Sequence, residues 1–135
     1  MEFAGDIVLD IFDENPINVD FGTDIVATRL VDKGDVISQR LGWKAPKYRW
    51  IYEVKFKDEN DYLEKLEEVL DKLCARKEYI DTLKAQYEGV EMCIYMRSDF
   101  GQIGYLLPSR IIKKMALLEC DFGFDILSFG LVWSE

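Results

Sequence analysis

The chain has 135 residues, of which 49% are hydrophobic and 13% aromatic, so it can form a hydrophobic core and disorder is not expected. Its net charge is −9 and it contains no histidine, which excludes serine–histidine and cysteine–histidine nucleophile pairs and histidine-containing zinc sites. It shows no secretory signal and no apolar run of the ~20 residues that span a bilayer, so we expect one cytoplasmic domain over residues 1–135.

The first 28 residues carry seven acidic side chains and no lysine or arginine. They begin with a predicted strand over residues 6–12, where Ile7, Leu9 and Ile11 share one face. Residues 13–16 are typical of a turn. Residues 19–39 are less regular, with a short strand or helix over residues 25–31 and a glycine turn over residues 32–35.

The clearest strand covers residues 48–57, where aromatic and aliphatic side chains alternate with charged ones. A helical pattern follows over residues 58–87, and Asp58 suits its beginning. Arg76 and Lys77 interrupt the apolar spacing. The sequence therefore leaves open whether this region is one helix or two, with a break near residues 75–78 in the second case.

The last third predicts a strand over residues 90–97, then a hairpin connection at residues 98–101 that leads into a strand over residues 102–107. Pro108 suits the first turn of a helix. The apolar residues 123–133 predict a final strand near the centre of the sheet. These elements predict an α+β domain: a single-layer antiparallel or mixed sheet of about five to six strands, with helices packed mainly on one face.

The cysteines, Cys74, Cys93 and Cys120, are odd in number and widely separated, which favours reduced thiols and gives no paired spacing for zinc or redox chemistry. No motif calls for a cofactor, and no set of residues has the spacing of a metal site. One pair of carboxylates, Asp10 and Glu91, would come together if their strands were neighbours, but the spacing itself does not support a hydrolase.

Basic and aromatic residues interleave over residues 40–50, as they do in platforms that stack single-stranded nucleic acid. Strand alternation sends the rings to one side and the charges to the other, so burial of the rings explains the pattern better. The acidic balance also disfavours phosphate binding. We therefore expect no nucleic-acid partner and no membrane partner.

The turn Lys33-Gly34-Asp35 places opposite charges around a glycine. Its simplest interpretation is a solvated turn. The alternative is a small polar pocket in which Lys33 and Asp35 orient a ligand and Trp50 closes over it.

One resemblance joins several of these segments: Gly5-Asp6, Ala27-Thr28-Arg29, Lys33-Gly34-Asp35, the strand with Trp50, Met96-Arg97-Ser98 and Gly101-Gln102-Ile103-Gly104. The chain resembles domain-of-unknown-function family 4279, small stand-alone bacterial proteins, over most of its length. The resemblance implies an α+β fold and a bacterial cytoplasm. It implies no activity, and no catalytic residues carry over.

These observations favour a non-enzymatic binding protein whose acidic surface engages a basic protein, for example an immunity protein that neutralises a basic toxin. The candidate contacts are Asp13, Glu14, Asp20 and Asp24. A second hypothesis is a small-ligand binder, or an unrecognised enzyme, with a pocket near Lys33, Asp35 and Trp50. A third is a homodimer joined through a strand edge or an apolar helix face.

Overall fold

The computed structural model describes residues 3–101 and 104–131. Its main feature is a five-stranded mixed sheet in the order β2-β5-β1-β6-β7, accompanied by a two-stranded sheet of β3 and β4. The strands and helices are β1 (Phe3–Asp13), β2 (Arg29–Val31), β3 (Val36–Ser38), β4 (Trp43–Lys44), β5 (Tyr48–Phe56), α1 (Glu59–Cys74), α2 (Lys77–Gln86), β6 (Gly89–Phe100), α3 (Ser109–Leu118) and β7 (Asp121–Leu131). The predicted α+β class, the mixed sheet and its strand number are confirmed.

The central strand is β1, which pairs antiparallel with β5 on one side and β6 on the other. Its alternating residues Ile7, Leu9 and Ile11 are at most 1% exposed and face the helices. The apolar face of β5 joins them, because Trp50 lies directly opposite Ile11. The predicted strands at residues 6–12 and 48–57 are therefore confirmed.

The helical region is two helices, with the break where the apolar spacing is interrupted. Asp58 begins α1, and its carboxylate accepts a hydrogen bond from the Asp61 backbone N–H at 2.8 Å. After Cys74 the chain bends, and α2 starts at Lys77. Both helices place fully buried leucine and isoleucine side chains against the sheet: Leu66, Leu70, Leu73, Ile80 and Leu83.

The predicted hairpin at residues 98–101 is wrong. β6 continues through these positions to Phe100, and residues 104–107 form no strand. Gln102 and Ile103, where that second strand was expected to begin, lie outside the described residues. Instead the chain crosses through α3 and returns as β7, which pairs parallel to β6. A connection of this length is what a parallel pair requires.

The predicted central position of the final strand is also wrong, because β7 lies at the edge of the sheet. Of the predicted range, Val132 and Trp133 lie outside the described residues. Several apolar side chains of β7 are correspondingly exposed, among them Leu127 at 52%. In the described residues, no helix is long and apolar enough to cross a membrane.

Candidate ligand groove beside the open face of the sheet

One face of the sheet does not pack against the helices, and we call it the open face. Strand register assigns residues to it: Asp10 lies opposite Ile51 on β5 and opposite Glu91 on β6. Charged side chains dominate this face in β1, β5 and β6, namely Asp6, Asp10, Arg49, Glu53, Lys55, Glu91 and Arg97. The alternation that builds the core on one side therefore places most charges on the other, where Val8 and Ile51 are also buried.

Asp10 and Arg49 form the most buried charge pair of the open face. Asp10 is only 9% exposed, and its two carboxylate oxygens accept hydrogen bonds from Nε and Nη2 of Arg49. The carboxylate raises the pKa of Arg49 above its usual value through these hydrogen bonds. The strands of Asp10 and Glu91 are neighbours, but Asp10 is committed to a bidentate arginine, which does not favour an acid–base role.

A second arginine–aspartate pair lies further along β1. Nη1 of Arg97 donates to Oδ2 of Asp6 at 3.4 Å. The other oxygen of Asp6 is buried and has no hydrogen-bond partner among the described residues. The two pairs join β1 to both of its neighbouring strands across the open face.

At the β2 edge of the sheet, the turn before β3 holds the β3–β4 hairpin in place. Gly34 adopts a φ of +94°, and the Asp35 N–H donates to the Asp32 carbonyl at 3.0 Å. Two backbone hydrogen bonds then tie the turn to the end of the hairpin: Gly34 N–H to the Ala45 carbonyl at 2.8 Å, and Ala45 N–H to the Asp35 carbonyl at 2.7 Å. The predicted turn is confirmed, and it positions β3 and β4 beside β2 and β5.

Between this hairpin and the sheet lies a concave space of about 420 Å³, which we call the hairpin groove. Its walls are apolar side chains of the hairpin and of β2, with an arginine from each of β2 and β5. The lining residues are Arg29, Val31, Asp35, Val36, Ile37, Ala45, Pro46 and Arg49. A concave site of this size with apolar walls and few polar groups is typical of small-molecule sites.

Arg29 is the distinctive residue of the hairpin groove. It is exposed, and within the described residues it has neither an ion-pair partner nor a hydrogen-bond partner. Arg49, in contrast, uses Nε and Nη2 on Asp10 and leaves its Nη1 group unengaged in the described structure. The groove thus presents one unpaired guanidinium and a second one that is already held in position.

The sheet and the hairpin groove lie inside a part of the chain that matches a protein family. The family model for the Domain of unknown function (DUF4279) matches residues 6–129, nearly the whole chain. The chain belongs to this family. The match runs from β1 into β7 and therefore includes the sheet and the hairpin groove of this DUF4279 protein. No curated protein and no solved structure matches the chain.

Of the three residues predicted for a pocket, only Asp35 lines the groove of the DUF4279 domain. Nζ of Lys33 forms an ion pair with Oε2 of Glu14 at 2.8 Å. Trp50 is 5% exposed and lies on the helix side, where its ring centroid is 5.5 Å from that of Phe21. The structure does not bring the three together. Neighbouring positions on a strand face opposite sides, so Arg49 lines the groove and Trp50 faces the core.

The four acidic residues predicted to contact a partner all have interactions within the chain. The Asp13 carboxylate accepts backbone hydrogen bonds from Asn15 and Glu88, which lower its pKa. Oδ1 of Asp20 accepts the Gly22 N–H at 2.8 Å.

Glu14 and Asp24, the other two, are each paired with a cation. Lys33 lowers the pKa of Glu14 through a side-chain hydrogen bond. Asp24 pairs with Nη2 of Arg76 at 2.5 Å. Their negative charges are therefore partly compensated inside the DUF4279 domain.

The three cysteines of the DUF4279 domain are free thiols. Burial raises the pKa of each thiol. No group of three or more cysteine, aspartate or glutamate side chains in the described residues could hold a metal ion.

Residues that sequence reasoning missed are Arg29 and Arg49. The alternation of β5 already placed Arg49 opposite the aromatic side, but nothing local to either arginine links the two. Their proximity follows from the pairing of β2 with β5, in which Arg29 lies opposite Ile51 and Val31 opposite Arg49.

Proposed function

We propose that this DUF4279 protein is a non-enzymatic binding protein that takes a small organic anion in the hairpin groove. The observation that carries the proposal is the unpaired guanidinium of Arg29 beside apolar walls. Arginine presents a planar fork of donors that matches a carboxylate or phosphate. An anion with a small apolar body would satisfy both features of the groove.

Arg49 supports the same proposal through its fixed position. Asp10 holds its Nε and Nη2 groups, so ordering this side chain around a ligand costs little further conformational entropy. Asp35, whose Oδ2 already accepts the Asp32 N–H at 2.9 Å, completes the polar lining. The groove volume of about 420 Å³ suits a small molecule and not a macromolecule.

Replacing Arg29 with glutamine tests this proposal. A panel of small carboxylates and phosphates with apolar bodies is screened by thermal shift, and the compounds that raise the melting temperature are measured by calorimetry. We expect Arg29→Gln to weaken their binding by about tenfold or more, because it removes one charge-assisted contact. The Arg40→Gln control removes the same charge from an exposed position outside the groove and should leave affinity unchanged. Binding that is equal in both variants, or no binding by any compound, would contradict the proposal.

A second candidate function keeps the acidic-surface hypothesis but moves its location. On β6 and β7 the open face carries Glu91, Asp121 and Asp125, and no described cation lies within ion-pair distance of them. Glu91 and Asp121 are neighbours across the β6–β7 pair, which is unfavourable for like charges. A basic protein, such as the toxin partner of an immunity protein, would relieve this repulsion. A cytoplasmic location, expected from the free cysteines, belongs to both proposals.

Two triple charge reversals distinguish this candidate from a general effect of net charge. Replacing Glu91, Asp121 and Asp125 with lysine should abolish the capture of a basic partner that high salt releases from the wild-type protein. The control places lysine at three exposed positions outside β6 and β7: Glu59, Glu64 and Glu78. Capture is read by quantitative mass spectrometry of host lysate, and equal loss in both variants would refute a specific site on the open face.

A further inference from the structure

We propose that the free edge of β7 pairs antiparallel with β7 of a second copy of this chain. The two sheets would join across a two-fold axis into one continuous sheet. β7 is eleven residues long and lies at the edge, and within the described residues nothing pairs with its outer side. This inference is independent of the hairpin groove, which lies at the opposite edge, beside β2.

The composition of β7 is that of an interior strand and not of a protected edge. It contains no lysine, arginine or proline, the residues that commonly prevent an edge from pairing. The opposite edge follows the usual rule, because β2 is only three residues long and begins with Arg29. The apolar sequence of β7 predicts a central strand. Pairing with β7 of a second copy would place it at the centre of the joined sheet.

Apolar side chains of β7 are exposed on both faces of the sheet. Ile126, on the helix side beside Met96, is 45% exposed, and Leu127, on the open face beside Arg97, is 52% exposed. Phe124 and Phe129 are 40% and 57% exposed. Together the four side chains expose on the order of 400 Å² of apolar surface. That is about half of the roughly 800 Å² that each partner buries in a stable complex, before the strand backbone is counted.

The register of the pair follows from symmetry and charge. A two-fold axis perpendicular to the sheet requires residues of the same face to lie opposite each other, so the axis passes through one residue of β7. An axis through Ile126 pairs residues 124–128 of the two copies, the part of β7 that precedes its register shift against β6 beyond Ser128. Asp125 then lies opposite Leu127 of the second copy, and Asp121 lies outside the paired residues. No carboxylate faces another, so the strand is complementary to itself.

Light scattering coupled to gel filtration measures the result directly. We expect the wild-type protein at twice the 15.8 kDa mass of one chain. Ile126→Lys should give the monomer mass, because it places two ammonium groups together on the axis. The matched control is Leu41→Lys, which changes an equally apolar and 57% exposed residue on the β3–β4 hairpin and should remain dimeric. A monomeric wild-type protein, or a dimer that Ile126→Lys does not dissociate, would overturn the proposal.

Cross-linking gives a measurement that does not depend on a disruptive variant. In the proposed register the two Ile126 Cα atoms are about 4.5–5.5 Å apart, which is within the range of a disulfide. Ile126→Cys should therefore form a covalent dimer under mild oxidation, whereas Leu41→Cys should not. If β7 instead pairs with a strand of another protein, the purified Ile126→Cys variant stays monomeric, and this also refutes self-pairing.

Discussion

Replacing Gly5 with alanine is expected to lower the free energy of unfolding by about 3 kcal/mol or more, because the added methyl group overlaps the backbone of the neighbouring strand. A Cβ atom at Gly5 would lie 1.8 Å from the carbonyl oxygen of Tyr95 and 2.7 Å from Cζ of Phe56. The first of these is a backbone atom of β6, which is hydrogen-bonded within the sheet. Relief of the clash would therefore require β1 and β6 to separate.

Two other glycines provide matched controls in the same sheet. A Cβ atom at Gly123 meets only Sγ of Cys93 at 3.7 Å, so Gly123→Ala should change stability by less than about 1 kcal/mol. At Gly89 the contact is the ring of Phe12 at 2.1 Å, a half-buried side chain that can rotate away, and the effect should be intermediate. Urea unfolding followed by circular dichroism measures all three. Equal losses at Gly5 and Gly123 would show that the β1–β6 backbone contact is not limiting.

Replacing Arg49 with methionine should destabilise the protein by about 2 kcal/mol, because Asp10 would keep its charge in a largely buried position without the bidentate cation. Loss of one partner of a fully buried pair costs about 3–5 kcal/mol, and the 41% exposure of the Arg49 side chain reduces this. The same variant should weaken anion binding in the hairpin groove. Chemical denaturation and calorimetry measure the two effects separately.

A double-mutant cycle separates the ion pair from the rest of the Arg49 contacts. Adding Asp10→Asn to Arg49→Met removes the unpaired charge, so part of the lost stability should return, with a coupling energy of about 1–2 kcal/mol. Arg40→Met is the control for removing an exposed arginine and should change stability by about 0.5 kcal/mol or less. If Arg49→Met is no more destabilising than this control, the pair with Asp10 does not stabilise the fold.

Local sequence patterns were sufficient to predict the elements in which one face carries the apolar core residues. Alternate residues of β1 and β5 form the core face, and Asp58 marks the beginning of α1 with a cap that the structure contains. The interruption at Arg76 and Lys77 likewise coincides with the end of one helix and the start of the next. In each case the deciding residues are within a few positions of one another.

Local patterns did not predict which distant segments pair in the sheet. Ser98 and Gly101 suggest a tight turn, but β6 continues past Ser98 to Phe100, which pairs with Leu131 of β7. The parallel partner of β6 arrives only after α3, and no local signal distinguishes it from an antiparallel one. For β7, apolar composition indicates burial but does not say whether the covering strand belongs to the same chain.

In the candidate site, too, the local features were predicted and the features that depend on distant strand pairing were not. The turn that contains Asp35 was identified from its glycine, and Asp35 does line the hairpin groove. The arginines of the groove were not identified, because β2 is short and its pairing with β5 joins segments about twenty residues apart. Trp50 was assigned to a pocket as an aromatic lid, whereas its position among Tyr48, Tyr52 and Val54 on the apolar face of β5 predicts the core.

The central place of β1 has a consequence for how the protein is synthesised. Ile7 lies opposite Ile94, so β1 cannot obtain its second neighbour until β6, more than 80 residues later in the chain, has been translated. Until then β1 and β5 can form only a partial sheet. One face of this partial sheet is apolar, and β1, which is central in the complete sheet, is an unpaired edge strand. Long-range pairing of this kind slows folding and exposes nascent chains to aggregation. The nascent chain should therefore depend on chaperones until β6 has emerged from the ribosome.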